Sequence, residues 1–351
     1  SNFESSLCQR ELDYFIYDYE SIRLFRQEAQ YTLSEEQNAV VSVFNNYDII
    51  EILPDGTVTR LYDVNSDDNG IVVTCKCNSN CIMCPSSEYA RRNGCTNSID
   101  DLLLLSRHIP SDAKHITITG GEPFLLGKNI FSLFSFFRKN LYDTEFLLLT
   151  NGRIFSSADY CLRLAETLPP KTIVGIPVHG SMAQIHDHIT QAKGSFDQTI
   201  CGIQNLISLG INVELRVVVS KLNECDIANI CNLFVQRFSG ALRVEVMGLE
   251  MLGNAHVNRN NVWLDYRSSF LAARSGIKTL INNKIDVGLY NYPLCAVDKD
   301  FWNIYKKSIS DYKIKYAPRC DDCYFKSECG GIFAGSYGLA ERDVCPIREE
   351  Q

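Results

Sequence analysis

The sequence predicts an α/β fold, a partial (β/α)6 TIM-like barrel followed by a small C-terminal region rich in cysteine. Between Gly70 and Met247, six apolar runs of β-type residues alternate with helical stretches. The runs are continuously apolar, as in parallel strands covered by helices. Glycine and polar residues recur just after each run, at the end where barrels of this kind build their sites. About eight units close a barrel; six leave it open.

The composition narrows the class. A chain of 351 residues can bury a large core and hold one large domain or two moderate ones. Hydrophobic content of 45% with 22% charged residues is that of a globular protein, and a formal charge of −8 argues against a nucleic-acid footprint. No apolar run approaches the ~20 residues that span a bilayer, and no charged-then-apolar leader is recognisable, so a cytoplasmic protein without membrane contact is expected. Fifteen cysteines in a reducing compartment then point to metal rather than disulfides.

Residues 1–69 read as an N-terminal cap or a peptide-docking region. Glu11–Arg26 carries Leu12, Phe15, Ile16, Tyr19, Ile22 and Leu24, a rough helical stripe. Ile49–Leu53, Pro54-Asp55-Gly56 and Val58–Tyr62 predict a hairpin, and Val64–Gly70 a polar linker. Barrel strands are expected at Ile71–Thr74, His115–Thr119, Phe146–Thr150, Thr172–Val178, Val213–Val219 and Leu242–Met247. Helices are expected at Ile99–Ile109, Ile130–Leu141, Ala158–Leu168, Phe196–Leu209 and Ile227–Phe238, the first capped by Ser98 with Asp101 in its first turn. The barrel then spans 70–285 and a cysteine-rich domain 286–351.

Cys161, Cys201, Cys225 and Cys231 stand singly on helical stretches and read as buried apolar thiols; Cys8 and Cys95 take the same default. The others cluster. Cys77, Cys81 and Cys84, on a loop after a strand, can aim three sulfurs at one centre, which leaves a [4Fe-4S] cluster with one iron free of protein ligands. A structural zinc site is the alternative, but it closes with four ligands. Cys75 is expected to turn away from that cavity by strand alternation. Downstream strand ends read Gly120-Gly121-Glu122-Pro123, Thr150-Asn151-Gly152, His179-Gly180, Ser220-Lys221 and Gly248-Leu249-Glu250. Paired glycines let a backbone approach a ligand closely, and the proline stiffens the chain beyond them.

Together these stretches resemble the radical S-adenosylmethionine (radical SAM) superfamily. Cys77, Cys81 and Cys84 look like its Cys-x3-Cys-x2-Cys signature, and Gly120–Pro123 like its methionine-binding motif; the likeness runs from about Gly70 to Leu252. It implies that SAM chelates the free iron and that its one-electron cleavage releases a 5′-deoxyadenosyl radical. It implies SAM contacts from Gly120, Gly121, Glu122, Thr150, Asn151, Gly248 and Leu249. Arg216 either pairs with the SAM carboxylate or is an ordinary strand arginine facing a helix carboxylate. Met83 stands where the superfamily usually has an aromatic residue. His179, Asp187 and Glu250 are candidate catalytic residues.

Cys320, Cys323 and Cys329, at Cys-x2-Cys-x5-Cys, form a second set that Cys295 or, in competition, Cys345 completes to four. Four thiolates suit zinc or a second, fully ligated [4Fe-4S] cluster. The pattern resembles the SPASM or twitch extension of peptide-modifying radical SAM enzymes, with Phe333 in place of one cysteine. Gly194–Asp197, Met247–Glu250 with Gly253-Asn254-Ala255, and Ser308–Tyr312 look like the maturases of the His-Xaa-Ser peptide system. The resemblance implies a ribosomally made precursor peptide as substrate and a reductant such as flavodoxin or ferredoxin. A small-molecule substrate, or a non-catalytic iron–sulfur or zinc protein, are the alternatives.

Overall fold

The computed structural model describes residues 15–17, 21–24, 29–52 and 57–348. Its first elements are strands: β1 (Phe15–Tyr17), β2 (Ser21–Leu24) and β3 (Ala29–Thr32) form an antiparallel sheet in which Phe15 pairs with Leu24. The helix expected over Glu11–Arg26 is therefore corrected where the chain is described, since aromatic and β-branched residues suit a pleated surface better. Leu12, Tyr19 and Cys8 lie outside the described residues. Helix α1 (Glu35–Val41) starts in a capping box between Ser34 and Gln37. The expected hairpin forms from β4 (Ile49–Ile52) and β5 (Val58–Tyr62); its turn, Pro54-Asp55-Gly56, falls outside the described residues. The expected linker is an ordered turn, because buried Asn69 accepts from Asp63 N and donates to Asp63 O and Ser66 O.

Seven strands, not six, build the central sheet: β6 (Asn69–Val72), β7 (His115–Thr119), β8 (Glu145–Leu149), β9 (Thr172–Pro177), β10 (Asn212–Val218), β11 (Arg243–Met247) and β12 (Val287–Tyr290). Each is parallel to the next, and β6 and β12 are the edges, so the fold is a partial, open barrel. Helices α2 (Glu88–Asn93), α3 (Ile99–His108), α4 (Ile130–Asn140), α5 (Ala158–Thr167), α6 (Ala183–Thr190), α7 (Ser195–Ser208), α8 (Ile227–Arg237), α9 (Gly253–Val257), α10 (Arg259–Val262) and α11 (Tyr266–Asn282) fill the connections. Ser98 caps α3 as expected, its side chain accepting from Asp101 N. Strand β12 escapes the sequence because it is four residues long and carries Gly288. A Cβ there would sit 2.0 Å from Glu245 Oε2, so the neighbouring carboxylate requires the glycine.

Alternate strand residues, such as Ile116, Ile118, Phe146, Leu148, Val174, Leu215, Val244 and Leu289, are at most 1% exposed and join the helices in one core. Burying each such side chain stabilises the fold by about 1.5–3 kcal/mol before entropy is counted. Past β12 the chain forms β13 (Ile314–Lys315), antiparallel to β14 (Ile332–Phe333), and α12 (Tyr337–Ala340). This part is tied to the barrel: Ser336 Oγ accepts from Met251 N at 3.1 Å, and Tyr305 donates to Tyr292 O at 2.9 Å. Of the lone cysteines, Cys161 and Cys231 are buried, but Cys95, Cys201 and Cys225 are exposed, a correction. Helical periodicity places a residue on a face, and the outer edge of that face is wet.

The opposite face of β10–β12 carries charge. Arg243 reaches Glu214 at 2.6 Å and Glu245 at 3.0 Å, and Arg216 Nε lies 3.3 Å from Glu214 Oε1. Both glutamates are 2% exposed. Burial and the Glu214 charge push Glu245 up to about 8, against the pull of Arg243 and Arg216. A raised carboxyl binds a proton in the folded chain that the unfolded chain has already lost. Its contribution to stability is complete below about pH 4.5 and is lost as pH rises through about 8. Glu245→Gln should flatten that loss, removing a slope of up to about 1.4 kcal/mol per pH unit. Thermal unfolding of both proteins from pH 5 to 9 checks it: the melting temperature of the variant gains on wild type as pH rises.

Candidate active site at the carboxyl ends of the strands

Cys77, Cys81 and Cys84 come after β6 on a loop without regular structure, so side chains from elsewhere must hold it. Asn80 N and Ile82 N donate to Thr190 O and Ile189 O at the end of α6, at 3.0 and 2.9 Å. Asn254 on α9 donates to Cys81 O and to Asn80 Oδ1, both at 3.1 Å, and Asn258 donates to Ile82 O. Arg91 on α2 binds Asn80 Oδ1 and Ser86 O, while Arg153 reaches Asn78 O at 2.8 Å. Burial pushes the Cys77 and Cys81 thiols up, Cys81 to about 12, and each also feels Cys84. Left to the protein the thiols stay protonated, so binding a metal centre must displace their protons.

Among the described residues, no three Cys, His, Asp or Glu side chains converge on a single-ion site. A [4Fe-4S] cluster asks less, because each thiolate binds its own iron. Three free thiols on one gripped, half-buried loop fit that cluster. Cys75, turned aside as alternation predicts, sits against Gly94 and opposite Cys95.

The turn after β7 lies against this loop. Gly121 N donates to Thr74 O at 2.7 Å and Glu122 N to Lys76 O at 2.8 Å. Gly120 has φ 151°, and a Cβ on it would fall 2.3 Å from Thr74 O; one on Gly121 would fall 2.2 Å from Lys76 O. The glycines thus admit the chain's own backbone, whereas their pattern in the sequence suggested a ligand. Glu122 is 1% exposed; Thr150 Oγ1 donates to both its oxygens at 2.9 and 3.1 Å, Asn151 N at 2.8 Å and Phe124 N at 3.1 Å. Burial raises its pKa, and these donors pull the other way. Asn151 also reaches Asn78 Oδ1 at 2.7 Å.

The remaining expected site residues are spread over the same end. His179, after β9, is 6% exposed, and burial together with the nearby His186 pushes its imidazole down to about 3. Asp187 on α6 accepts from Gly194 N, Ser195 Oγ and Phe196 N; burial raises its carboxyl, but these bonds outweigh it and hold the pKa low. It therefore serves the start of α7. Arg216 Nε lies 3.3 Å from Glu214 Oε1 on its own strand β10, and not beside the helix carboxylate expected as the alternative to SAM. Gly248 is pressed against Asn291 O, where a Cβ would fall 2.6 Å away. Leu249 and Met83 are 4% exposed and share a small apolar cluster with Ile189 and Met251. Glu250 is partly exposed, 3.6 Å from Lys313 Nζ.

Cys295, Cys320, Cys323, Cys329 and Cys345 line one pocket with Pro293, Tyr316 and Lys326. Leu294 N and Gly331 N donate to Cys329 Sγ at 3.2 and 3.3 Å, and Ile347 N to Cys323 Sγ at 3.3 Å. Such donors favour thiolates. Burial, with the Cys329, Cys320 and Cys345 thiols nearby, pushes Cys295 up to about 11. Both expected competitors are therefore at the pocket, and its five thiols suffice for a four-thiolate centre.

Residues 71–234 match the sequence profile of the radical SAM superfamily. The chain carries a radical SAM domain. No curated protein matches the sequence. Among solved structures it is similar to Streptococcus suis SuiB, at 12% identity and a TM-score of 0.52 over 76% of this chain and 57% of that one. SuiB bound to its precursor peptide SuiA gives 12% identity and 0.51, over 64% and 48%. SuiB bound to S-adenosylmethionine gives 13% and 0.51, over 66% and 50%. The chain spans about half the length of SuiB, and at such identity the likeness is one of fold. The radical SAM family implies a [4Fe-4S] cluster and SAM. No helix of the described residues is long and apolar enough to cross a membrane.

Sequence reasoning missed the residues that grip the radical SAM loop, Arg91, Arg153 and Asn258. Arg153 and Asn258 reach backbone oxygens 75 and 176 residues away, and Arg91 binds Ser86 O and the Asn80 side chain nearer by, in no pattern that residue spacing records. Gly121→Ala should drive a methyl into Lys76 O and cost roughly 1–3 kcal/mol. Thermal unfolding and iron content after reconstitution test this, with Gly338→Ala, where nothing lies within 4 Å, as the harmless control.

Proposed function

We propose that the protein is a radical SAM enzyme that cleaves S-adenosylmethionine reductively and modifies a ribosomally synthesised precursor peptide by hydrogen abstraction. The observation that carries the reading is the junction of three free thiols with the buried Glu122 turn at the mouth of an open barrel. Cys77, Cys81 and Cys84 would hold a [4Fe-4S] cluster with one iron free of protein ligands, and that group would supply the electron for reductive cleavage of SAM. Glu122, fixed by Thr150 and Asn151, accepts from the methionine ammonium beside Gly120 and Gly121. Buried apolar residues around Met83 and Leu249 keep water from the same end of the barrel.

A base for a substrate proton needs a pKa near the working pH and a free carboxylate or imidazole. His179, depressed to about 3, and Asp187, occupied by three donors, fit that task poorly. Glu250, partly exposed with Lys313 Nζ 3.6 Å away, is the candidate that remains. The thiols of Cys295, Cys320, Cys323, Cys329 and Cys345 would supply the four ligands of an auxiliary [4Fe-4S] cluster, which would serve as an electron acceptor or a peptide-binding group. SuiB, similar in fold, has been determined with a precursor peptide, and this supports a peptide substrate. The stretches Gly194–Asp197 and Ser308–Tyr312 support the narrower reading as a His-Xaa-Ser system maturase. The reductant would be a flavodoxin or ferredoxin.

Reconstituted anaerobically with iron and sulfide, the protein should carry about eight irons. With dithionite and SAM it should release 5′-deoxyadenosine, and Cys77→Ala, Cys81→Ala or Cys84→Ala should abolish the release. An intact cluster that yields none would sink the catalytic reading, and turnover without any peptide would replace the peptide by a small molecule. Cys295→Ser and Cys345→Ser separate the auxiliary ligands: loss of the true fourth thiolate lowers iron toward about four, and the other variant keeps about eight.

A further inference from the structure

Two adjacent arginines on α2 have opposite surroundings. Arg92 is exposed and paired with Glu88 at 2.5 Å, one turn earlier on the same helix. Arg91 is 7% exposed, and among the described residues no carboxylate lies within ion-pair distance of it. Its guanidinium binds two neutral acceptors, Asn80 Oδ1 between the first two cysteines of the loop and Ser86 O just past the last. Asn80 is in turn held by Asn254, so the guanidinium cannot swing outward without breaking a shared junction. A buried cation needs an opposite charge nearby, and neutral acceptors only partly replace water. What lies beside it is the cysteine loop itself: Asn80, which it binds, is three residues after Cys77 and directly before Cys81.

We propose that Arg91 is the built-in countercharge of the Cys77, Cys81 and Cys84 site, and that it raises the reduction potential of the cluster held there. The inference rests on the radical SAM reading of that site. Three thiolates around a [4Fe-4S] core of charge +2 carry net charge −1. One electron from a low-potential donor takes the assembly to −2, with no bond made or broken. A fixed positive charge in a buried setting stabilises the second state more than the first. Arg91 is a positioning residue by the same token: through Asn80 it holds the segment between the first two cysteines. The unpaired cation on α2 thereby serves two ends, loop geometry and ease of reduction.

The test uses the reconstituted full chain, titrated with dithionite and followed by electron paramagnetic resonance. The cluster whose signal changes on adding SAM is the one on the cysteine loop. Arg91→Gln should shift its midpoint to more negative potential, by more than the difference between wild type and Arg92→Gln. Arg91→Lys, which keeps the charge, should restore most of the shift. Should Arg91→Gln lose the loop cluster outright while Arg91→Lys retains it, the countercharge role stands. Equal potentials in wild type and Arg91→Gln at equal iron content overturn the proposal. So does any defect, in potential or in iron, that Arg91→Gln and Arg91→Lys share equally, for then hydrogen bonding and not charge is responsible. Failure of wild type to form a SAM-responsive cluster would instead remove the radical SAM reading itself.

Discussion

The site depends on two backbones that approach more closely than any side chain would permit. Gly120 and Gly121 bring the turn after β7 onto Thr74–Lys76, the segment that launches the cysteine loop. The contact fixes the direction of that loop and, one residue on, drives the Glu122 carboxylate inward to the end of β8. There Thr150 and Asn151 receive it, and Asn151 returns a hydrogen bond to Asn78 on the cysteine loop. Three consecutive strand ends are thus closed into one circuit of hydrogen bonds. Removing Thr150 leaves the buried Glu122 carboxylate short of a donor, which costs about 1–3 kcal/mol, whereas the Asn151–Asn78 bond is exposed and is the weaker link.

Burial then sorts the ionisable groups. Inside the barrel, Arg243 and Arg216 face Glu214 and Glu245, and the cost of burying Glu245 is relieved by protonating it rather than by exposing it. His179 escapes the cost of burial by staying neutral, with its backbone N–H donating to His186 Nδ1. Asp187 stays ionised because the first turn of α7 surrounds it with donors. Each group takes whichever charge state its surroundings can satisfy. Residues that look alike as catalytic candidates in a sequence therefore separate once their partners are known.

How much of the fold was legible in the sequence depends on the range of the interactions involved. Strands β7 to β11 and the helices between them, α6 apart, announce themselves by periodicity, which is local, and their bounds fall within a residue or two of expectation; α6, eight residues long, was not expected. The cysteine and Gly-Gly-Glu motifs are local too. Strand β12 is short and interrupted by Gly288, whose reason is a carboxylate more than forty residues away. The segment around Phe15 and Ile22 fits a helix as well as a hairpin on spacing alone, and cross-strand pairing decided it. Arg216 could not be assigned because its orientation depends on which strand lies beside it. The grip of Arg153 and Asn258 on the loop is long-range, and like that of Arg91 it involves mostly backbone acceptors, so no pattern of residue types records it.

The strand order places the two thiol sets with respect to each other. Because each strand pairs with the next in sequence, the first and the last become the edges of the open sheet. Cys77 lies five residues beyond the end of β6, and Cys295 five beyond the end of β12. Parallel strands end on the same side, so both sets sit at the carboxyl end of the barrel, one on each edge of its opening. A closed eight-stranded barrel would bring its first and last strands into contact and leave no passage between them. Here seven strands leave β6 and β12 unpaired, so the cysteine loop and the second thiol pocket follow the two free edges of one sheet and belong to the same end of the fold.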